Sequence, residues 1–506
     1  MSLTRRRRLV DCSKVSDVSG GTTRRHKLLF FDWRDVDCGH VLWQTPEGDT
    51  IDVTAADEPQ RDVHARPSGV PYGIRLQAQP ARTTDPFTGW RGWGRTIYHD
   101  GKYRSWFLEI DGNSQLGSGS RAQRRDRQAV VVCAVESEDG MHWSDVGRCP
   151  LEVPGQYGFD GFTFFIDPVA PAASRYKIVY CASVPDQLSR PLFEARKERA
   201  AQCHDEREIG KPGPCLMCAT SPDGLRWTAC SRPLMMHTSD TDTTVYWDAQ
   251  IEKYVLYTRL FCQTRRWIGR AESDDFFSWG PVEPVLWPRL DDPPDYDLYL
   301  NGRSTYPGLP EYQLLFPLVY QRFTERSHVR LHASTDGVAW NQVPGGPVIQ
   351  PGESGAWDSE FIGSGKDLLP FGVGRVAIPY TATEYPHKYP RWSAVWDAWK
   401  AGWAWWPEDR LCGLVADREG QFQTVPMYPG GRRLRANCRT QRAGEVCIGI
   451  QGVEGRSAES CDPLHGDLSN AQVTWQGASD AGFRDGEPIR LQVRLRCAEL
   501  YALEWV

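Results

Sequence analysis

No stretch of this chain approaches the ~20 consecutive apolar residues that a membrane-spanning helix needs. Nor does a 7–15-residue apolar run follow the opening "MSLTRRRR", where a secretory leader would carry one. The sequence therefore reads as cytoplasmic, without a membrane partner. A framework of cysteines is missing too. The 15 cysteines are odd in number and irregularly spaced, and many sit in apolar strand contexts, such as Cys133 in "VVVCAV" and Cys181 in "KIVYCA". They read as buried thiols rather than a disulfide scaffold. One "CLMC" (Cys215 to Cys218) has a zinc-like spacing, but in a strand those two side chains point to opposite faces, so no metal site is assigned. A basic surplus is absent as well: the net charge is −6, and "RRRR" at Arg5–Arg8 is local. That balance excludes a nucleic-acid footprint.

What is present is abundant turn chemistry and aromatic residue. The 506 residues include 47 glycines, 36 prolines and 21 tryptophans, with 40% hydrophobic and 25% charged residues. Short aromatic strands between tight turns fit this balance better than long helices.

One phrase recurs. "SEDGMHW" ends at Trp143, "SPDGLRW" at Trp227, "SDDFFSW" at Trp279 and "STDGVAW" at Trp340, with a worn fifth copy, "ADREGQF", ending at Phe422. Asp-Gly allows the positive φ of a hairpin turn, and the aromatic starts the next strand. Upstream of each copy lie three strand-like runs, so every unit has four strands. Five such units predict an all-β chain built on a five-bladed β-propeller. A two-sheet sandwich could supply many short strands, but not a phrase recurring at one place in every unit. "KLLFFDW" (Lys27–Trp33) reads as one more strand, a candidate for closing the ring. Residues 1–26 read as a disordered basic N-terminus, 27–425 as the propeller, and 426–506, whose alternating strands lack the phrase, as a small β-sandwich.

Inner strands of a propeller converge on a central channel, and here the segments that open them carry acids. Blade two opens with Asp160, blade three with Asp240 and Asp242, blade four with Asp295 and Asp297, and blade five with "WDSEF". Strand alternation would place Asp358 and Glu360 of that last phrase on one face. Blade one offers Arg91, Trp93 and Arg95 instead. Acids crowded at one mouth spread their pKa values, which suits a general acid paired with a base or nucleophile. Glycoside hydrolysis needs such a carboxylate pair. The predicted catalytic set is Asp240, Glu360, Asp297 and Asp160. Arg91, Trp93, Arg95, Asp242, Arg303, Asp358, Glu384 and His387 are the predicted substrate-binding set. Asp139, Asp223 and Asp336 read as turn formers, and Asp167 and Asp248 as turn residues ending inner strands.

The phrases "HTSDTDTTVYWDAQIEKYVLYTR", "DPPDYDLYLNGRSTYPG", "ESGAWDSEFIGSG" and "ESCDPLHGDLSNAQVTWQG" resemble bacterial glycoside hydrolase family 32/43-like proteins, from about Lys27 to Val506. The resemblance implies a five-bladed propeller with a C-terminal β-sandwich. It also implies one catalytic acid from each of the first three blades, with Asp160 and Asp240 at the second and third positions. The first blade shows no corresponding acid and no "NDPNG"-like stretch. The expected function is a glycosidase acting on a furanoside or other small glycoside or oligosaccharide. The alternative is a non-hydrolytic propeller, either a carbohydrate-binding protein or a tailoring enzyme on a small metabolite. No cofactor is required, and calcium is the ion that clustered acids would suit.

Overall fold

The computed structural model describes residues 24–38, 42–44, 50–52, 67–68, 71–89, 94–111, 129–202, 212–239, 241, 243–387 and 399–506. The chain forms two compact units, one of residues 77–412 and one of residues 1–76 with 413–506.

The 77–412 unit is a five-bladed β-propeller of antiparallel sheets. Blade one runs from its inner strand outward as Arg95–His99, Lys102–Asp111, Ala129–Ser137 and Ser144–Leu151. Blade two is Tyr157–Ile166, Tyr176–Ser183, Cys215–Ser221 and Thr228–Ala229. Blade three is Thr244–Asp248, Lys253–Cys262, Arg265–Ser273 and Glu283–Leu286. In blade four the first three strands are each interrupted, giving Tyr296–Leu300 with Arg303–Tyr306, Leu309–Leu315 with Leu318–Gln321, and Arg326–Val329 with His332–Ser334. Asn341–Gln342 is its outer strand.

Blade five closes the ring. Its strands Phe361–Ser364, Arg375–Thr383 and Lys400–Pro407 are completed on the outside by Arg82–Thr83, with Arg82 opposite Trp405 and Thr83 opposite Ala404. The outer strand therefore comes from the start of the unit. The predicted fifth turn phrase, "ADREGQF", does not form a blade turn. It lies inside the long strand Cys412–Gln423, paired with Leu491–Trp505. The candidate closing strand at Lys27 is corrected too: Lys27–Leu29 pairs with Glu504–Ala502 in the other unit.

Each joint between blades is an apolar core. Trp106 and Val132 of blade one pack with Phe164 and Ile178 of blade two. Phe165 and Cys218 of blade two pack with Val245 and Phe276 of blade three. Tyr257 of blade three meets Leu315 and Trp340 of blade four, and Tyr320 of blade four meets Phe361 of blade five. Trp403 and Phe371 of blade five return to Phe107 and Trp143 of blade one.

The recurring phrase serves those joints. In three copies a glycine sits at positive φ: Gly140 at 78°, Gly224 at 77° and Gly337 at 69°. The serine and aspartate close the turn, as where Gly224 N donates to Ser221 Oγ (2.8 Å) and Arg226 N to Asp223 Oδ1 (2.9 Å). Backbone N–H groups of Arg226 and Leu225 hold the Asp223 carboxyl well below the usual carboxylate range. Each glycine carbonyl then accepts twice. Gly140 O takes Trp143 Nε1 and, from blade five, Trp403 Nε1, both at 3.0 Å. Gly224 O takes Trp227 Nε1 (3.1 Å) and Trp106 Nε1 of blade one (2.8 Å). Gly337 O takes Trp340 Nε1 (3.2 Å) and the Tyr257 hydroxyl of blade three. The blade-three copy places Phe276 at φ 72°, a costly conformation for a bulky residue. There the preceding blade supplies a cation instead: Lys177 Nζ lies 5.2 Å from the Phe276 ring centroid.

The second unit, among its described residues, holds a three-stranded sheet of Leu42–Gln44, Thr50–Asp52 and Pro67–Ser68, and a larger six-stranded sheet. Its strands are Asp467–Gln472, Leu434–Ile450, Leu491–Trp505, Cys412–Gln423 and Arg75–Ala78, with Lys27–Leu29 on Leu491–Trp505. The predicted domain boundary near 426 thus falls inside this unit. Residues 1–23 of the expected disordered terminus lie outside the described residues, whereas Arg25 N is tied to Tyr428 O at 2.8 Å.

Blade four buries His332 and half-buries His328 beside the Arg330–Asp292 ion pair (2.7 Å). Burial, reinforced by the Arg330 charge, lowers His328 to about 4 and His332 to about 3. Both are neutral when folded but take up protons near pH 6.5 when unfolded. Their contribution is whole above that value and is lost as pH falls toward about 4 and 3. His332→Gln is expected to flatten the fall in Tm between pH 7 and pH 4.5; an unchanged slope would contradict this account.

Candidate functional site

Antiparallel topology sorts the propeller's two ends. Starts of inner strands share one end with the hairpins between second and third strands; the recurring phrase lies at the other. At the first, the mouth end, Asp160 is exposed on the inner strand of blade two and accepts Gly161 N at 2.9 Å. Gly161 stands at φ 60°, and a Cβ there would lie 2.6 Å from Ser239 O and 2.7 Å from Thr241 O. Only glycine allows that approach of blades two and three. Thr241 Oγ1 in turn donates to Tyr299 O of blade four (3.4 Å), and Tyr299 Oη pairs with His387 Nε2 at 3.1 Å. The His387 ring stacks on Phe361 of blade five (4.4 Å, 19°), with Tyr320 and Trp399 edge-on. Glu360 precedes Phe361 and receives both arms of the Arg326 guanidinium at 2.7 Å. One connected array therefore runs across blades two, three, four and five at this end.

Two more arginines brace it. Arg259 lies 4.4 Å and Arg266 4.9 Å from the Tyr299 ring centroid. The hairpin that carries Arg266 turns on Gln263 and Thr264, both at positive φ without a glycine. Burial, then the Glu325 carboxylate, pushes the Tyr320 phenol up, so it stays protonated.

Several predicted site residues are placed elsewhere. Asp297 is fully buried; its carboxylate accepts Arg266 N (3.1 Å) and Arg266 Nη1 (2.5 Å). It holds Arg266 in place and is not presented to a substrate. Asp358 is buried under the Tyr380 hydroxyl (2.8 Å). "WDSEF" is a turn up to the strand that starts at Phe361, so Asp358 points in and Glu360 points out, and alternation does not apply. Arg303 is a core clamp: its guanidinium lies 4.7 Å from the Tyr246 ring and bonds Tyr246 Oη and Gln313 Oε1, both at 3.0 Å.

Arg95 crosses the propeller axis. It donates to Phe164 O (2.6 Å) and Val245 O (3.0 Å), and it pairs with Asp367 at 2.5 and 2.9 Å. Lys366 Nζ bonds Phe162 O and Thr243 O (3.0 and 2.7 Å), and Asp367 N donates to Arg303 O (3.2 Å). Among the described residues, the axis is occupied by the protein cations Arg95 and Lys366 with Asp367. Among the described residues no group of three His, Cys, Asp or Glu side chains could hold a metal ion. Cys215 and Cys218 do face different cores.

Glu384 is exposed and His387 half-buried at the mouth end. Arg91, Trp93, Asp240 and Asp242 lie outside the described residues. Tyr299, Tyr320, Glu325, Arg259, Arg266 and Arg326 escaped sequence reasoning. The signal was available in "CQTRRW" and "QRFTER", the two hairpins that antiparallel topology sends to the mouth end.

No family model and no curated protein matches this chain. Solved structures similar to it include a β-1,2-mannobiose phosphorylase from Listeria innocua (11% identity, 70% of this chain and 94% of that one, TM-score 0.40). A second is an N-acetylgalactosamine deacetylase from F. plautii in complex with blood group B trisaccharide (14%, 66% and 96%, TM-score 0.38). A third is a fructofuranosidase from Schwanniomyces occidentalis complexed with fructosylnystose (10%, 84% and 96%, TM-score 0.37).

Stability measurements separate bracing acids from presented ones. Asp297→Asn removes a fully buried carboxylate from the half-buried Arg266 and is expected to cost about 3 kcal/mol or more. Glu360→Gln disrupts a pair whose arginine is 56% exposed, and is expected to cost under about 1 kcal/mol. Urea unfolding of both variants checks the order.

Proposed function

We propose that this protein is a glycoside-acting enzyme whose site is the mouth end of the propeller, taking a furanoside or other small glycoside. The observation that carries this reading is the array from Asp160 through Thr241, Tyr299 and His387 to Phe361 and Glu360. It sets carboxylates from different blades beside aromatic rings and arginines, the residue types that glycosyl transfer uses: acid, base or nucleophile, and flat apolar faces for sugar rings.

Asp160 and Glu360 are the described acids that we assign to proton transfer or nucleophilic attack. Asp240 is the further acid nominated by the sequence. Glu384 and His387 are assigned to sugar hydroxyls, and Arg91, Trp93 and Asp242 to the same task from sequence alone. Asp297, through Arg266, and Arg259 position Tyr299. Their effect on turnover would be indirect.

One observation favours the non-hydrolytic reading: Glu360 is already engaged by Arg326, as expected of a receptor that fixes its acids for hydrogen bonding. The two readings part on one experiment. Asp160→Asn, Asp240→Asn and Glu360→Gln are assayed for hydrolysis of aryl furanosides and pyranosides and, separately, for binding of the parent sugars. Loss of at least about 100-fold in kcat with binding kept supports catalysis. Equal loss of binding in all three, with no turnover by the parent protein, supports a receptor.

A further inference from the structure

Two pairs of thiols stand apart from the other cysteines. In blade two, Ala219 faces Ala229 and Thr220 faces Thr228 across the hairpin that carries the recurring phrase. The next step of that register sets Cys218 against Cys230, and Cys230 N donates to Cys218 O at 2.8 Å. Directly opposed residues of antiparallel strands have Cα atoms about 4.5–5.5 Å apart. That lies inside the span that a disulfide bridges. Opposed residues of an antiparallel pair project their side chains to the same face, so the two thiols are neighbours. Cys218 is buried, and Cys230 is half-buried.

The other unit repeats the arrangement. Cys447, half-buried on Leu434–Ile450, neighbours buried Cys461, whose Sγ accepts Ile448 N at 3.3 Å and donates to Asp462 O at 3.5 Å. Buried Cys133 is a contrast: its thiol donates to Val131 O at 3.9 Å, and burial, then the Glu109 carboxylate, pushes it up to about 11.

We propose that Cys218–Cys230 and Cys447–Cys461 are modification sites that form intramolecular disulfides by exchange with a low-molecular-weight disulfide, RSSR. At the first site the Cys230 thiolate attacks one sulfur of RSSR, forming a mixed disulfide and releasing RS⁻. Cys218 then loses its proton and attacks the Cys230 sulfur, forming the bridge and releasing the second RS⁻. Two protein thiols and one RSSR become one protein disulfide and two RSH. The adjoining Cys218 thiol lowers the Cys230 pKa, and the Lys177 ammonium adds to this against the opposing effect of burial. The first bridge would staple the blade-two copy of the phrase, Ser221 to Trp227, whose glycine carbonyl joins blade two to blade one. The inference is independent of any activity on glycosides.

The test treats native full-length protein with oxidised glutathione at mildly alkaline pH, quenches by alkylation, and maps peptides without reduction. Cross-linked peptides joining Cys218 to Cys230 and Cys447 to Cys461 are expected, both reversed by dithiothreitol, while Cys133 alkylates only after denaturation. Cys218→Ser is expected to trap a stable glutathione adduct on Cys230. Cys230→Ser, changed at the more accessible position, is expected to leave Cys218 unmodified. Adducts on Cys230 and Cys447 of the parent protein that never resolve into bridges, or thiols that remain fully alkylatable, would overturn the proposal.

Discussion

The propeller depends on closure of its ring. Each blade is apolar on both faces, so every sheet needs a neighbour on each side. Four joints follow from chain order. The fifth is made by pairing Arg82–Thr83 with Lys400–Pro407, which completes the blade that packs Trp403 and Phe371 against Phe107 and Trp143. Without that pairing, two faces rich in tryptophan would meet water. The glycine carbonyls of the recurring phrase reinforce the same closure, since each takes one donor from its own turn and one from the preceding blade. A carbonyl has two lone pairs, and here both serve the architecture.

Closure also decides which charges remain for chemistry. At the axis, Arg95, Lys366 and Asp367 satisfy backbone carbonyls of blades two and three and tie to blade four. Asp167 is spent in a similar way, on Lys177 (2.6 Å) and on the Tyr254 hydroxyl of blade three (2.8 Å). Asp297 and Asp358 are buried with donors of their own. Among the described residues, those presented at the mouth end include Asp160, Glu360, Glu384 and the Tyr299–His387 pair. Burying a charge is costly unless it is paired. Burial therefore sorts the acids into braces and presented groups, whatever their spacing along the chain.

How much was legible in the residues differed by range. The turn phrase could be read because its bonds span few residues: Ser221, Asp223, Gly224 and Trp227 satisfy one another within a single hairpin. The same holds for Asp139, Asp248 and Asp336, which close turns as expected. Reading failed at the fifth unit. "ADREGQF" has the polar-then-aromatic pattern of the phrase but belongs to a long paired strand. The true outer strand of blade five is two residues with no strand signature. Arg303 and Arg95 were misplaced for a related reason, because an arginine that opens an inner strand looks the same whether it meets substrate or backbone carbonyls.

The sequence by itself determined an all-β chain and the four-strand repeat. These rest on local periodicity and turn geometry. Tertiary structure alone decided which strand closes the ring, which acids are braced by arginine, and that Tyr299 and His387, 88 residues apart, face each other. Those outcomes depend on contacts between distant segments, and their energies are set by burial, which no short window of residues records.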